Sequence, residues 1–216
     1  MSNLVKFGSA GLPAVQNLAA SLRKLEQAAP SVMVILKMDK TGHWVFGAEQ
    51  EEVENGSRWA VNPLSFVHGY IAWGKGEALG EMMAPITDPL PEVGVPPSGA
   101  ERGWEMQLGF SLKCISGEDA GMEARYSTTS VGGKRAVQQL GLAIATQVEK
   151  APDRPVPVIT LGKDSYQHKS YGRVFTPVFE VQEWVSMNGE EPAAEDVQQS
   201  DAPDEAAPAR RVRRTA

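Results

Sequence analysis

Cysteine is nearly absent. Cys114 stands alone among 216 residues, so no internal disulfide can form. Such usage fits a reducing compartment, and the thiol reads as a small buried hydrophobe rather than a reactive group. Long hydrophobic runs are also missing: none approaches the roughly 18 apolar residues needed to cross a bilayer. The start, Met1-Ser2-Asn3-Leu4-Val5-Lys6, lacks the charged opening and apolar centre of a signal peptide. The expectation is a soluble, cytoplasmic protein with no membrane partner. The three histidines, His43, His68 and His168, are far apart and have only one thiol to join them, so neither a metal nor another cofactor is expected. No serine occupies a Gly-x-Ser-x-Gly elbow, and the carboxylates gather in Glu49 to Glu54 and in the tail, where solvation accounts for them. A binding protein is expected before an enzyme.

What the chain does have is turns and a modest core. Twenty-one glycines and fifteen prolines favour strands over long helices, and 42% hydrophobic residues suffice for a core. The net charge of −6 is unevenly spread: seven acids and four arginines lie beyond Ser186, leaving 20 acids and 17 bases before it. A nearly neutral body of this kind can still carry a local basic groove.

Read along the chain, residues 13–29 form an amphipathic helix with Val15, Leu18, Leu22 and Leu25 on one face. A hairpin follows, with strand 32–38, a turn at Asp39-Lys40-Thr41-Gly42 and a return over 43–47. Further strands are expected at 58–62 and 66–74, the second with an interior Gly69 that marks a bulge or a close backbone approach. Leu79 to Ile86 fits a strand or a helical turn, and Asp88 to Arg102 is a proline-rich surface loop. Trp104 to Ile115 alternates strictly, placing Trp104, Met106, Leu108, Phe110, Leu112 and Cys114 on one face. Its partner strand spans 122–128, and a helix spans 134–150. Beyond Met187 the composition turns to Ala, Pro, Glu, Asp and Gln, which reads as a disordered acidic tail with a basic tip.

The most informative stretch is Val156 to Val185. Two apolar runs, 158–161 and 178–185, flank a segment in which Lys163, Tyr166, His168, Lys169, Tyr171, Arg173 and Phe175 interleave cations with rings. Cations can follow a phosphate backbone, and flat rings can stack on unpaired bases. Tyr166, Tyr171 and Phe175 are the candidate stacking residues; Lys163, Lys169, Arg173 and Arg125 are the candidate phosphate contacts. Arg125-Tyr126 and Lys134-Arg135 repeat the pattern nearby. Ser130-Val131-Gly132-Gly133-Lys134-Arg135 tempts a phosphate-loop reading, but Thr128 stands where the first Gly belongs and Arg135 replaces the magnesium-binding Ser or Thr.

These elements make an α+β protein of three parts: an N-terminal helical segment (1–30), a β-rich core with one inserted helix (31–186), and the tail (187–216). The core is expected to be mainly antiparallel, an OB-like barrel or strongly coiled sheet with two packing helices. The segment Trp104–Val185 resembles single-stranded DNA-binding proteins from the replication regions of tailed bacteriophages. The residues that carry this are Gly162-Lys163-Asp164-Ser165-Tyr166-Gln167-His168-Lys169, Tyr171-Gly172-Arg173-Val174 and Thr176-Pro177-Val178-Phe179-Glu180-Val181-Gln182-Glu183-Trp184, with the acidic tail. The resemblance implies an OB-like fold, single-stranded DNA as partner, a role in phage replication or recombination in the host cytoplasm, and a tail that recruits replication or recombination proteins. Here the tail ends in Arg210-Arg211-Val212-Arg213-Arg214 rather than in acids and an aromatic, which points instead to an auxiliary phosphate-binding or self-shielding arm. A homo-oligomer is compatible with all of this. The alternative function is a virion or assembly protein making protein–protein contacts, and a metal-dependent nuclease ranks behind both.

Overall fold

The computed structural model describes residues 33–187. The helix expected over 13–29 and the tail from residue 188 lie outside the described residues. Ten strands and one long helix follow in the order β1 (Val34–Met38), β2 (Trp44–Phe46), β3 (Glu51–Glu52), β4 (Arg58–Val61), β5 (Val67–Gly74), β6 (Glu77–Pro85), β7 (Trp104–Cys114), β8 (Glu123–Thr128), α1 (Val131–Lys150), β9 (Val156–His168) and β10 (Gly172–Val185). All strands join one sheet in the order β10-β9-β4-β7-β8-β1-β2-β3, with β5 beside β7 and β6 beside β5. Every pairing is antiparallel except β1 with β8, which makes a mixed, curled sheet shaped as a half-barrel. The expectation of a mainly antiparallel, strongly coiled sheet holds at that level.

Local chemistry explains the connections. Asp39 fixes the β1–β2 turn by accepting from the Thr41 and His43 backbone N–H groups, each at 2.8 Å. Lys75 and Gly76 both have positive φ, the backbone that a two-residue hairpin turn of the primed kind requires. They make Glu77–Pro85 a strand, deciding the stretch that hydropathy left open. Gly69 is where backbones crowd: a Cβ there would fall on the Met82 carbonyl oxygen, so only glycine fits. The proline-rich loop 86–103 is tied back onto the β5–β6 hairpin and onto the start of β7. Glu101 N donates to Trp73 O at 2.8 Å, and Trp104 Nε1 donates to Gly94 O at 3.1 Å.

β7 organises the core. It pairs with β8 along one side and with β5 and then β4 along the other. Leu108, Phe110, Leu112 and Cys114 are buried as alternation requires, each large side chain contributing about 1.5–3 kcal/mol. Met106 departs from the expected buried face: it is exposed, while Gln107 is buried. The core stops short of Met106, and the paired β5–β6 hairpin brings Glu81 and Met83 onto the Gln107 amide. Rings of Trp44, Phe66, Phe110, Tyr126 and Phe179 pack with centroids 5.2–5.7 Å apart. Against them lies α1, which begins one turn earlier than the sequence indicated. Ser130 caps it by accepting from Gly133 N at 3.0 Å, and Ala136, Val137, Leu140 and Ile144 form its buried side.

Candidate nucleic-acid interface

The cation–aromatic segment is not a connector between two apolar runs. It continues their ladder to the end, from Val185↔Val156 to Gly172↔His168, and only Lys169, Ser170 and Tyr171 turn the chain. Gly172, at φ 71, supplies the left-handed residue that closes such a three-residue loop.

Register then sorts the side chains. Cross-strand partners share a face and neighbours alternate. Lys163, Ser165 and Gln167 therefore lie with Pro177, Phe175 and Arg173, on the face that continues inward to Leu161 and Phe179. Tyr166 and His168 lie with Val174 and Gly172 on the opposite face. The strip that looks continuous in sequence is thus divided, and Tyr166 is turned away from Phe175 and Arg173.

On the inward face Phe175 is half-buried. Its ring presses so closely on Gly42 that a Cβ there would come within 2.6 Å, and Lys163 Nζ and Arg173 Cζ sit 5.6 and 5.3 Å from its centroid. Arg173 Nε donates to Ser165 Oγ at 3.0 Å, which holds the guanidinium in place. At the tip Tyr171 is 80% exposed, and its ring lies 4.7 Å from that of His168. His168 Nδ1 accepts from the Ser170 and Tyr171 backbone N–H groups, so the tip is ordered by its own imidazole.

Between this tip and the ends of β1 and β8 runs an open groove of about 660 Å³. Lys37, Lys40 and Arg173 line it with Trp73, Tyr171 and Phe175, and the hydroxyls of Ser127, Thr128, Thr129 and Ser130 form one wall. Its one acid, Asp39, is occupied by the turn. Bonds from the His43 backbone and the Thr41 hydroxyl hold its carboxyl below the ordinary value of 3.8. The groove therefore offers three cations, four aromatic residues of which Tyr126 is buried, and a row of hydroxyls around one carboxylate that is already engaged. That chemistry fits an anionic ligand with flat, apolar parts.

The structure gathers only some of the expected site residues here. Tyr171, Phe175 and Arg173 line the groove, and Lys169 stands exposed in the adjoining turn. Lys163 lines a separate cavity of about 90 Å³ with Glu52 and Glu54. Tyr166 is half-exposed on the outer face of the hairpin. Tyr126, expected to contact nucleic acid, also lines the groove but belongs to the core: it is 4% exposed, packed among Trp44, Phe110 and Phe179, and burial pushes its hydroxyl up to about 12. Arg125 is paired with Glu81 at 2.9 Å and does not line the groove. Lys134 and Arg135 sit where the first turn of α1 passes into the second and do not line the groove. Sequence reasoning missed Lys37, Lys40 and Trp73. The two lysines flank the Asp39 turn, and a register shift between Ala72 and Trp73 marks the bulge that sets Trp73. Among the described residues no group of three or more His, Cys, Asp or Glu could hold a metal ion, and no helix is long and apolar enough to cross a membrane.

No family model, no curated protein and no solved structure matches this chain.

Proposed function

We propose that this is a non-enzymatic single-stranded DNA-binding protein whose groove neutralises phosphates and stacks bases. The observation that carries the proposal is the composition of that groove: Lys37, Lys40 and Arg173 line it together with Trp73, Tyr171 and Phe175, and the only carboxylate is engaged by its own turn. Unpaired bases expose flat faces that such rings accept without regard to sequence, and the charged backbone meets the cations. A curled half-barrel sheet is compatible with the curved strand surface of an OB-like binder, which supports this reading. The sequence resemblance to phage single-stranded DNA-binding proteins supports a role in DNA replication or recombination, with the acidic part of the sequence beyond residue 187 as the proposed contact for partner proteins and its arginine tip as an auxiliary phosphate-binding arm.

The test is a fluorescence-anisotropy titration at low salt with a labelled single strand of about 30 nucleotides, a length that covers more than one such site. Saturable binding that weakens when Tyr171 and Arg173 become alanine supports the reading. No binding, or binding indifferent to both substitutions, sinks it.

A further inference from the structure

Gln107 is the polar residue that the fold takes most trouble to hold. It is 4% exposed on β7, yet it lines the groove beside Trp73, Lys37, Ser127 and Thr129. Its Nε2 donates to Glu81 Oε1 at 2.7 Å and approaches Met83 Sδ at 3.8 Å. The same Glu81 oxygen receives Arg125 Nη2 at 2.9 Å. A carboxylate flanked in this way accepts and does not donate, so it fixes which end of the amide is nitrogen. The other end, Oε1, receives no donor among the described residues. Nor is it sealed in: among the described residues no buried side-chain oxygen or nitrogen lacks a partner, so Oε1 keeps some solvent exposure, on a residue that lines the groove. The result is an oriented acceptor, braced from behind by an ion pair, in a groove lined with rings.

We infer that Gln107 reads the base in the proposed DNA-binding groove, its Oε1 accepting from the exocyclic amino group of a base lodged beside Trp73, so that cytosine is preferred to thymine. The inference rests on the single-strand-binding reading and adds a ligand preference to it. Cytosine presents N4–H donors where thymine presents the O4 acceptor. Thymine would set oxygen against oxygen. The amide cannot turn over to relieve this, because turning would bring Oε1 against the Glu81 carboxylate. Stacking on Trp73, Tyr171 and Phe175 is blind to this difference, so a change at Gln107 isolates the share of any preference that the amide carries.

The test compares oligo(dC) and oligo(dT) of equal length, titrated into the full-length protein at one low salt concentration. The wild type binds oligo(dC) about five-fold more tightly, as one hydrogen bond gives. In Gln107→Met the two affinities converge, oligo(dC) losing its hydrogen bond and oligo(dT) its oxygen–oxygen repulsion. An oligomer of N4,N4-dimethylcytosine, which has no amino hydrogens, binds the wild type as oligo(dT) does, and this arm decides the matter if Gln107→Met fails to fold. Equal wild-type affinities, or a cytosine preference that survives either change, overturn the role of Gln107 while leaving the groove intact. Failure of both oligomers to bind overturns the groove reading and the inference together.

Discussion

At the scale of single residues, register separates two tyrosines that sequence places together. Tyr171 stands at the tip over the groove and Tyr166 on the far face of the hairpin. Tyr171→Ala therefore weakens single-strand binding by about 1–3 kcal/mol, the value of one stacked base, whereas Tyr166→Ala changes it by less than about two-fold. Equal losses would mean that DNA wraps the hairpin rather than following the groove. Asp39 makes a second prediction. Its carboxyl is held below 3.8 by the His43 and Thr41 bonds, so its contribution is complete above that value and is lost as pH falls through the lower, folded one. The Thr41 and His43 amide resonances should titrate with a midpoint below 3.8 in an acid series; a midpoint at or above it would show that the bonds are not held in solution. That Asp39 caps a turn was legible in the sequence, because Asp with Gly three residues later is turn chemistry. That Tyr126 belongs to the core was not. Its neighbour Arg125 made it look like surface, and only the ladder shows that the two point oppositely.

Among elements, the β5–β6 hairpin shows how backbone crowding shapes the site. It covers Gln107, carries Glu81 and delivers Trp73 through a bulge, and all of this depends on close passage at Gly69. Gly69→Ala forces backbone movement and should cost about 1–3 kcal/mol of stability, read from urea denaturation. Gly94→Ala, with open space around the glycine, should cost little; comparable losses at both would remove crowding as the explanation. Interior Gly69 was a readable signal, as were the β1–β2 hairpin, β7 with its partner β8, and α1. The long β9–β10 ladder was only half legible. Its distal half pairs fully but buries little, so hydropathy, which reports burial, showed a connector where hydrogen bonding makes strands. The groove was less legible still, since it joins residues from β1, β5, β7, β8 and β10 whose proximity no spacing reveals.

Over the whole molecule, the net charge of −6 hides a groove with three cations and one engaged acid. Single-strand affinity should fall with salt at a log–log slope of about −2, since each neutralised phosphate contributes about −0.7. Replacing Lys37 and Lys40 together by alanine should flatten it to about −0.7. A wild-type slope near zero would exclude phosphate contact, and one steeper than about −3 would bring in the Arg210–Arg214 arm as well. The single parallel pairing, Val34–Leu36 against Ala124–Tyr126, carries a consequence for how the chain comes to exist. β1 emerges from synthesis long before β8, and Trp44 must wait for Gly162 to accept its indole N–H. Until β8 is made, then, β1 has no sheet to join except its own short hairpin. Pairings this distant in sequence form late in general, so the first strand is the one expected to need shelter during synthesis.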